Sequence, residues 1–299
     1  MTTQLSRRHM LGGLALASFG IGRMAHGTPE AARAPATVDF ESPADIMTAL
    51  VKMRGHLEEK PTFIWLRGLQ YTLIEGEAVP MCGYLGGAIT RYRRLDEDMF
   101  EFVMYEISYY TDLETGEQLK TIRMPVTGRE VAVPLYRTGP GRHVIMMENE
   151  EELYWSEELT TSAEVAQQLA PDAKIYYRFN VRKPDVFRDN VWIRNDSFTQ
   201  MVPDDPDQPG LFYKEAITYQ ASLAQLTDPA APQVDTSMSF AIATAWRPWM
   251  QMRGINGHTV TDGVGGKVFD IHDMPEDFVA LSARHNPDVL EDPEALLGD

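Results

Sequence analysis

The chain has 299 residues, 43% of them hydrophobic and 24% charged, with a formal net charge of −17 and a single cysteine. That length supports one large core or two small ones, and the acidic excess repels phosphate backbones and anionic lipid, so nucleic-acid binding and a peripheral membrane role are excluded. With Cys82 alone there is no internal disulfide, no CxxC pair and no haem or iron–sulfur spacing, so no organic or redox cofactor is expected, while a metal stays open.

The N-terminus carries Ser6-Arg7-Arg8-His9-Met10-Leu11 ahead of a Gly/Ala-rich apolar stretch to Ile21. This is the pattern of a twin-arginine export leader, which predicts a periplasmic protein and a passing contact with the twin-arginine translocase. The stretch is interrupted by Gly12, Gly13 and Gly20 and is followed by Arg23. It falls short of the ~20 apolar residues that cross a bilayer, so stable membrane insertion is not expected. Ala25-His26-Gly27 supplies small residues for cleavage after Gly27; Ala32-Arg33-Ala34 is a poorer candidate because Pro35 would follow the cut. Cleavage removes three arginines and no acid. Residues 28–40 are a linker, 41–288 a single β-rich domain with sub-modules at 61–145 and 172–272, and 289–299 a loose acidic tail.

A helix is predicted from Pro43 to Leu57, with Ser42 as N-cap, Pro43 at the first helical position and Ile46, Leu50, Met53 and Leu57 on one apolar stripe. Period-two patterning then predicts strands at Phe63–Leu73, Tyr84–Leu95 and Met99–Thr111, and shorter ones at Gln118–Met124 and Glu130–Tyr136. A second helix is expected at Ala163–Leu169. Strands resume at Lys174–Val181, Val191–Val202, Leu211–Leu223 and Met238–Trp246. Asp204–Gly210 is a loop, and Asp262-Gly263-Val264-Gly265-Gly266 a turn between two short strands. A last helix spans Pro275–Arg284, capped by Asp273 with Glu276. The acidic runs Glu148–Glu152, Asp204–Asp207 and Glu291–Glu294 are solvated loop or tail. Roughly ten strands and three short helices predict a mainly β fold. The form expected is an antiparallel meander closed as a calycin- or lipocalin-like barrel, or two packed β modules.

Three blocks carry a resemblance. Tyr110-Thr111-Asp112-Leu113-Glu114-Thr115-Gly116-Glu117, Pro125-Val126-Thr127-Gly128-Arg129-Glu130-Val131 and Trp246-Arg247-Pro248-Trp249-Met250-Gln251-Met252-Arg253-Gly254 resemble the recurring blocks of a bacterial family known as domain of unknown function 1838. Its members often carry twin-arginine leaders. The chain differs from that pattern at Met124, which stands before Pro125 where asparagine is usual. The resemblance implies no activity and supplies no catalytic residue.

The residues themselves offer two clusters. In the Trp246–Gly254 block, Trp246, Trp249 and Met250 suit an apolar or aromatic ligand; the same residues suit a corner where a strand leaves the barrel and plugs its end. In the hairpin of Tyr84–Leu95 with Met99–Thr111, Arg91 falls near Glu106, and Arg91 and Arg93 share a face. Glu106 is then a candidate general base, with Arg91 and Tyr109 stabilising negative charge; the alternative is a structural ion pair. Tyr84, Arg93 and His258 complete the expected ligand-binding set. The histidines outside the leader (His56, His143, His258, His272 and His285) show no metal-ligand spacing, and there is no Gly-x-Ser-x-Gly elbow. The expectation is a cofactor-independent isomerase, lyase or hydrolase acting on a small hydrophobic or aromatic compound in an apolar barrel pocket. A carrier of such a compound and a metal-dependent enzyme are the alternatives.

Overall fold

The computed structural model describes residues 38–153, 174–202 and 210–298; the leader, most of the linker, the helix expected at 163–169 and the 204–209 loop lie outside the described residues. Helix α1 (Pro43–Arg54) begins where the sequence predicts. The Ser42 hydroxyl accepts a hydrogen bond from the Asp45 amide at 3.4 Å, satisfying one of the free donors of the first turn. The helix ends at Arg54 rather than Leu57, and Gly55 follows as its C-cap.

Thirteen strands follow among the described residues: β1 (Thr62–Ile74), β2 (Glu77–Arg94), β3 (Phe100–Thr111), β4 (Thr121–Arg123), β5 (Glu130–Ala132), β6 (Tyr136–Ile145), β7 (Glu148–Leu153), β8 (Lys174–Val181), β9 (Asp185–Phe187), β10 (Asn190–Val202), β11 (Leu211–Ser222), β12 (Ser237–Thr244) and β13 (His258–Val268). Eleven of them form one antiparallel sheet in the order β6-β3-β2-β1-β13-β12-β11-β10-β8-β7, with β9 on β10; β4 and β5 make a separate hairpin. The sheet curls into a half-barrel. The two meanders are therefore one sheet, joined where β1 pairs with β13 from Phe63–Val268 to Leu73–His258.

Helix α1 is buried within the curl. Its Ile46, Met47, Leu50 and Met53 pack with inward residues Ile64, Tyr92, Phe100, Phe102, Phe179 and Tyr219 in the main core. At the opposite ends of these strands, Met81, Cys82, Tyr110, Ile122, Met124, Met250 and Met252 form a second apolar plug. A third cluster lies on the convex face. There Leu85, Ile89, Val103, Tyr105, Ile107 and Tyr109 are covered by Phe278 and Leu281 of α3 (Glu276–His285) and Val289 of α4 (Asp288–Glu291), with Leu297 beyond. Helix α2 (Leu223–Thr227) ends the β11 strand earlier than expected.

Several local expectations are corrected. Residues 262–266 are not a turn but the middle of β13. The glycines serve close approach: a Cβ on Gly263 would lie 2.0 Å from the Arg67 carbonyl oxygen and 2.6 Å from Gly68 Cα. Only two facing glycines let β1 and β13 coil this tightly. Glu148–Glu152, expected as loop, falls within β7. Asp273 does not cap α3, whose N-cap is Pro275; the Asp270 side chain instead accepts the His272 amide ahead of it. Residues 289–298 are not loose, since Val289 and Leu297 are fully buried. No helix among the described residues is long and apolar enough to cross a membrane.

Candidate functional site

Alternation along β3 divides its side chains between two buried environments. Phe102 enters the inner core, while Val103, Tyr105, Ile107 and Tyr109 enter the convex-face cluster. Glu106, Ser108 and Tyr110 follow the inward parity and line a cavity of about 30 Å³ between the helix plug and the second apolar plug. Gln70 of β1, Tyr84 of β2, Tyr136 of β6, Tyr213 of β11, Ile242 and Thr244 of β12 and Thr261 of β13 complete its wall, with Arg247 from the segment that follows β12. One aliphatic side chain against four tyrosines, a carboxylate and a guanidinium makes the lining polar, which corrects the expectation of an apolar lumen.

Several hydroxyls and amides of the wall bond to one another or to residues just behind it. Tyr84 Oη and Ser108 Oγ are 2.9 Å apart. Gln70 Nε2 donates to Thr261 Oγ1 at 3.0 Å, and Thr244 and Thr259 hydroxyls lie 2.7 Å apart. Tyr213 donates its hydroxyl proton to Glu215 Oε1 at 3.1 Å. Glu106 differs: among the described residues no hydrogen bond or ion pair reaches its carboxylate. Burial is the largest cause that pushes its pKa up, to about 7, and the Glu215 carboxylate adds to it; Arg247 and Arg54 pull the other way. Burial also raises Glu215, against the pull of Arg54 and hydrogen bonds from Tyr213 and Ser197.

Two guanidinium groups flank these carboxylates. Arg247 lies over Tyr136, with Cζ 4.9 Å from the ring centroid, and its buried Nε has no hydrogen-bond partner. Arg54, at the end of α1, sits among Phe102, Tyr92, Phe179 and Tyr219, with Cζ between 4.9 and 5.8 Å from each ring centroid. Neither forms an ion pair among the described residues. Among those residues no group of three or more His, Cys, Asp or Glu is arranged to hold a metal.

Of the residues expected in the site, Glu106 and Tyr84 line the cavity. The pairing of Arg91 with Glu106 is corrected: Glu106 stands opposite Ala88, and Arg91 opposite Val103. Three positions separate Arg91 from Ala88, and an odd step puts a strand residue on the other face. On that convex side Arg91 donates to the Gly298 carbonyl at 2.9 Å, and Arg93 pairs with Glu101 at 3.0 Å on the surface. Tyr109 is fully buried behind the sheet. Its hydroxyl lies 3.0 Å from Ser282 Oγ and accepts from Asn286 Nδ2 at 2.7 Å. His258 has the same outward parity and packs edge-on against Phe212 at 6.0 Å.

The Trp246–Gly254 block turns out to be the strand-exit corner. Trp246 Nε1 donates to the Ile255 carbonyl at 2.8 Å, Met250 is fully buried, and Trp249 stands behind the wall, 5.6 Å from Tyr110. What the corner delivers to the cavity is Arg247, between Trp246 and Pro248. Sequence reasoning also missed Arg54, Tyr136, Tyr213 and Glu215. A signal existed for the last two: polar side chains at inward parity on a strand whose other inward residues, Ile217 and Tyr219, are buried.

These placements give two expected results. Tyr109→Phe should cost about 1–3 kcal/mol in urea denaturation, because Ser282 and Asn286 lose a buried partner. It should leave ligand affinity and turnover unchanged, and a loss of activity greater than the loss of stability explains would return Tyr109 to the site. Arg91→Ala should shift stability by no more than about 0.5 kcal/mol in the same assay.

The family model described as Protein of unknown function (DUF1838) matches residues 59–298. No curated protein and no solved structure matches the chain.

Proposed function

The chain belongs to the DUF1838 family, and we propose that it is a proton-transfer enzyme: an isomerase, lyase or hydrolase acting on a small polar compound in the half-barrel cavity, with no organic cofactor. The observation that carries this reading is Glu106. A structural carboxylate at such depth is normally hydrogen-bonded or paired. Glu106 instead faces the cavity without a bonded partner among the described residues and ionises at about pH 7. Both of its forms are then populated near neutrality, which suits a group that takes and returns a proton.

The neighbours supply the rest of the chemistry. Arg247 and the Tyr136 hydroxyl are fixed donors for an oxygen on which negative charge develops. Tyr213, backed by Glu215, is a second hydroxyl able to pass a proton. With an enolisable carbonyl compound, Glu106 takes a proton from carbon while the electron pair moves onto the carbonyl oxygen beside Arg247. Where that carbon bears a hydroxyl, transfer of the hydroxyl proton to the carbonyl oxygen and return of the Glu106 proton to the former carbonyl carbon complete an isomerisation and consume nothing else. The polar wall and a volume that holds about two waters favour a small polar compound over the hydrophobic or aromatic one expected from the tryptophans. The leader Ser6–Leu11 supports action in the periplasm after twin-arginine export.

The test is hydrogen–deuterium exchange followed by NMR on a panel of small hydroxy and oxo compounds. The wild-type protein should exchange a carbon-bound proton with an inflection near pH 7. Glu106→Gln should be at least ~100-fold slower. Infrared titration that finds the Glu106 carboxyl ionising near pH 4, with no exchange in any compound, would overturn the reading. Binding without exchange would make the protein a carrier.

A further inference from the structure

The ligand class is written in the charges of the lumen. Arg247 is charged at any working pH, and placing an unpaired charge out of water is costly. Among the described residues it forms no ion pair; its side chain bonds Tyr136, while its buried Nε lacks a partner. It borders the cavity, with the Tyr136 ring beneath it. A guanidinium fork matches the two oxygens of a carboxylate. The cavity, about 30 Å³, is about the size of two waters, which leaves room for a carboxylate head at Arg247 and none for an aromatic ring.

We propose that the cavity binds a small aliphatic carboxylate, anchored through both oxygens to Arg247, and that one proton enters with it onto Glu106. The second half rests on the proton-transfer reading above; the first does not.

The proton follows from charge balance. Glu106 is faced by Tyr84 from β2, by Tyr213 and Glu215 from β11, by Arg247 from the corner and by Arg54 from α1. With both carboxyl groups ionised, the two guanidinium groups offset them in the empty site. A bound anion would leave one negative charge uncompensated in a low dielectric. Protonation of Glu106 removes it, and burial already favours the neutral form. With a carboxylate bound, Glu106 is therefore protonated; it acts as the base only toward a neutral carbonyl compound, which brings no charge to compensate.

Calorimetry of the mature chain with acetate, and with neutral acetamide as control, tests this. At pH 8, titrations in two buffers of different ionisation enthalpy should report uptake of about one proton per acetate, and affinity should fall about tenfold per pH unit above 7. Arg247→Gln should lose at least tenfold in acetate affinity. Arg247→Lys, which keeps the charge without the fork, should be intermediate and guards against misfolding of the first variant. Glu106→Gln should bind acetate with no proton uptake. Equal binding of acetate and acetamide, or full acetate affinity in Arg247→Gln, would sink the anion site. Exchange activity without acetate binding removes this inference and leaves the proton-transfer reading standing; acetate binding without exchange does the reverse.

Discussion

Glu106→Gln should yield a protein that is more stable than wild type above pH 7 and that has lost its proton-transfer activity. The reasoning is a linkage argument. An ordinary glutamate, as in the unfolded chain, ionises near 4.5, whereas burial and Glu215 hold Glu106 at about 7 in the folded state. Between those values the folded protein binds more protons than the unfolded one, so stability falls as pH rises through that window and levels above it. The full span corresponds to about 3 kcal/mol. Glutamine matches the neutral acid in size and cannot ionise, so it avoids that loss. Urea midpoints of both proteins between pH 5 and 8 check the result. Wild type should fall by up to about 3 kcal/mol relative to the variant. Glu215, also raised by burial, leaves a residual slope in both. Lys267, whose buried ammonium is lowered to about 7, acts in the opposite sense above that pH in both. The difference between the two proteins isolates Glu106. Identical pH profiles would mean that Glu106 is not the group held near 7. The predicted loss of exchange by ~10²–10⁴-fold alongside a gain in stability is the trade-off expected of an ionisable group kept buried for function.

How much of this was legible beforehand depends on distance in the chain. The Ser42 cap, the β3 alternation and the mainly β class rest on local patterns, and they match the structure. Glu106 and Tyr84 were reachable because each stands on a strand whose period is clear. Arg91 failed on register. The Leu95–Met99 connection sets Arg94 opposite Phe100, and a shift of one position flips every side chain to the other face. Nothing in the hairpin sequence distinguishes these registers, since both faces of β3 are apolar at most positions. The glycines at 263, 265 and 266 have two physical uses, turn and close approach, and only the facing Gly68 on a strand almost 200 residues away decides between them. Arg247 was in view, inside the most distinctive block, but its neighbours Trp246 and Trp249 carried the expectation. That the corner turns the arginine inward depends on the second apolar plug, built from β2, β4, β5 and the 250–252 segment together.

The other large effect lies behind the site. Phe278→Ala should cost about 3–5 kcal/mol and leave acetate affinity at its wild-type value under conditions where the variant is folded. Phe278 is fully buried, and its ring meets Tyr109 edge-on at 5.7 Å and 67°. It sits directly on Gly87 of β2: a Cβ there would lie 2.3 Å from Phe278 Cζ. The glycine makes the recess that the ring fills, so an alanine at 278 leaves a void over bare backbone, which the neighbouring Met274, with Cε 3.0 Å from the same point, closes only in part. Denaturant midpoints and calorimetry on the same preparation check both halves. A cost below about 1 kcal/mol would mean that α3 is not holding the convex face. A loss of acetate affinity in the folded variant would mean that the backing also sets the cavity. The expected separation follows from β3 itself, where Tyr105, Ile107 and Tyr109 are fixed from behind while Glu106 and Ser108 face the cavity between them. The burial that lifts Glu106 comes from the lumen, and the convex packing supplies the rigidity of the strand that carries it.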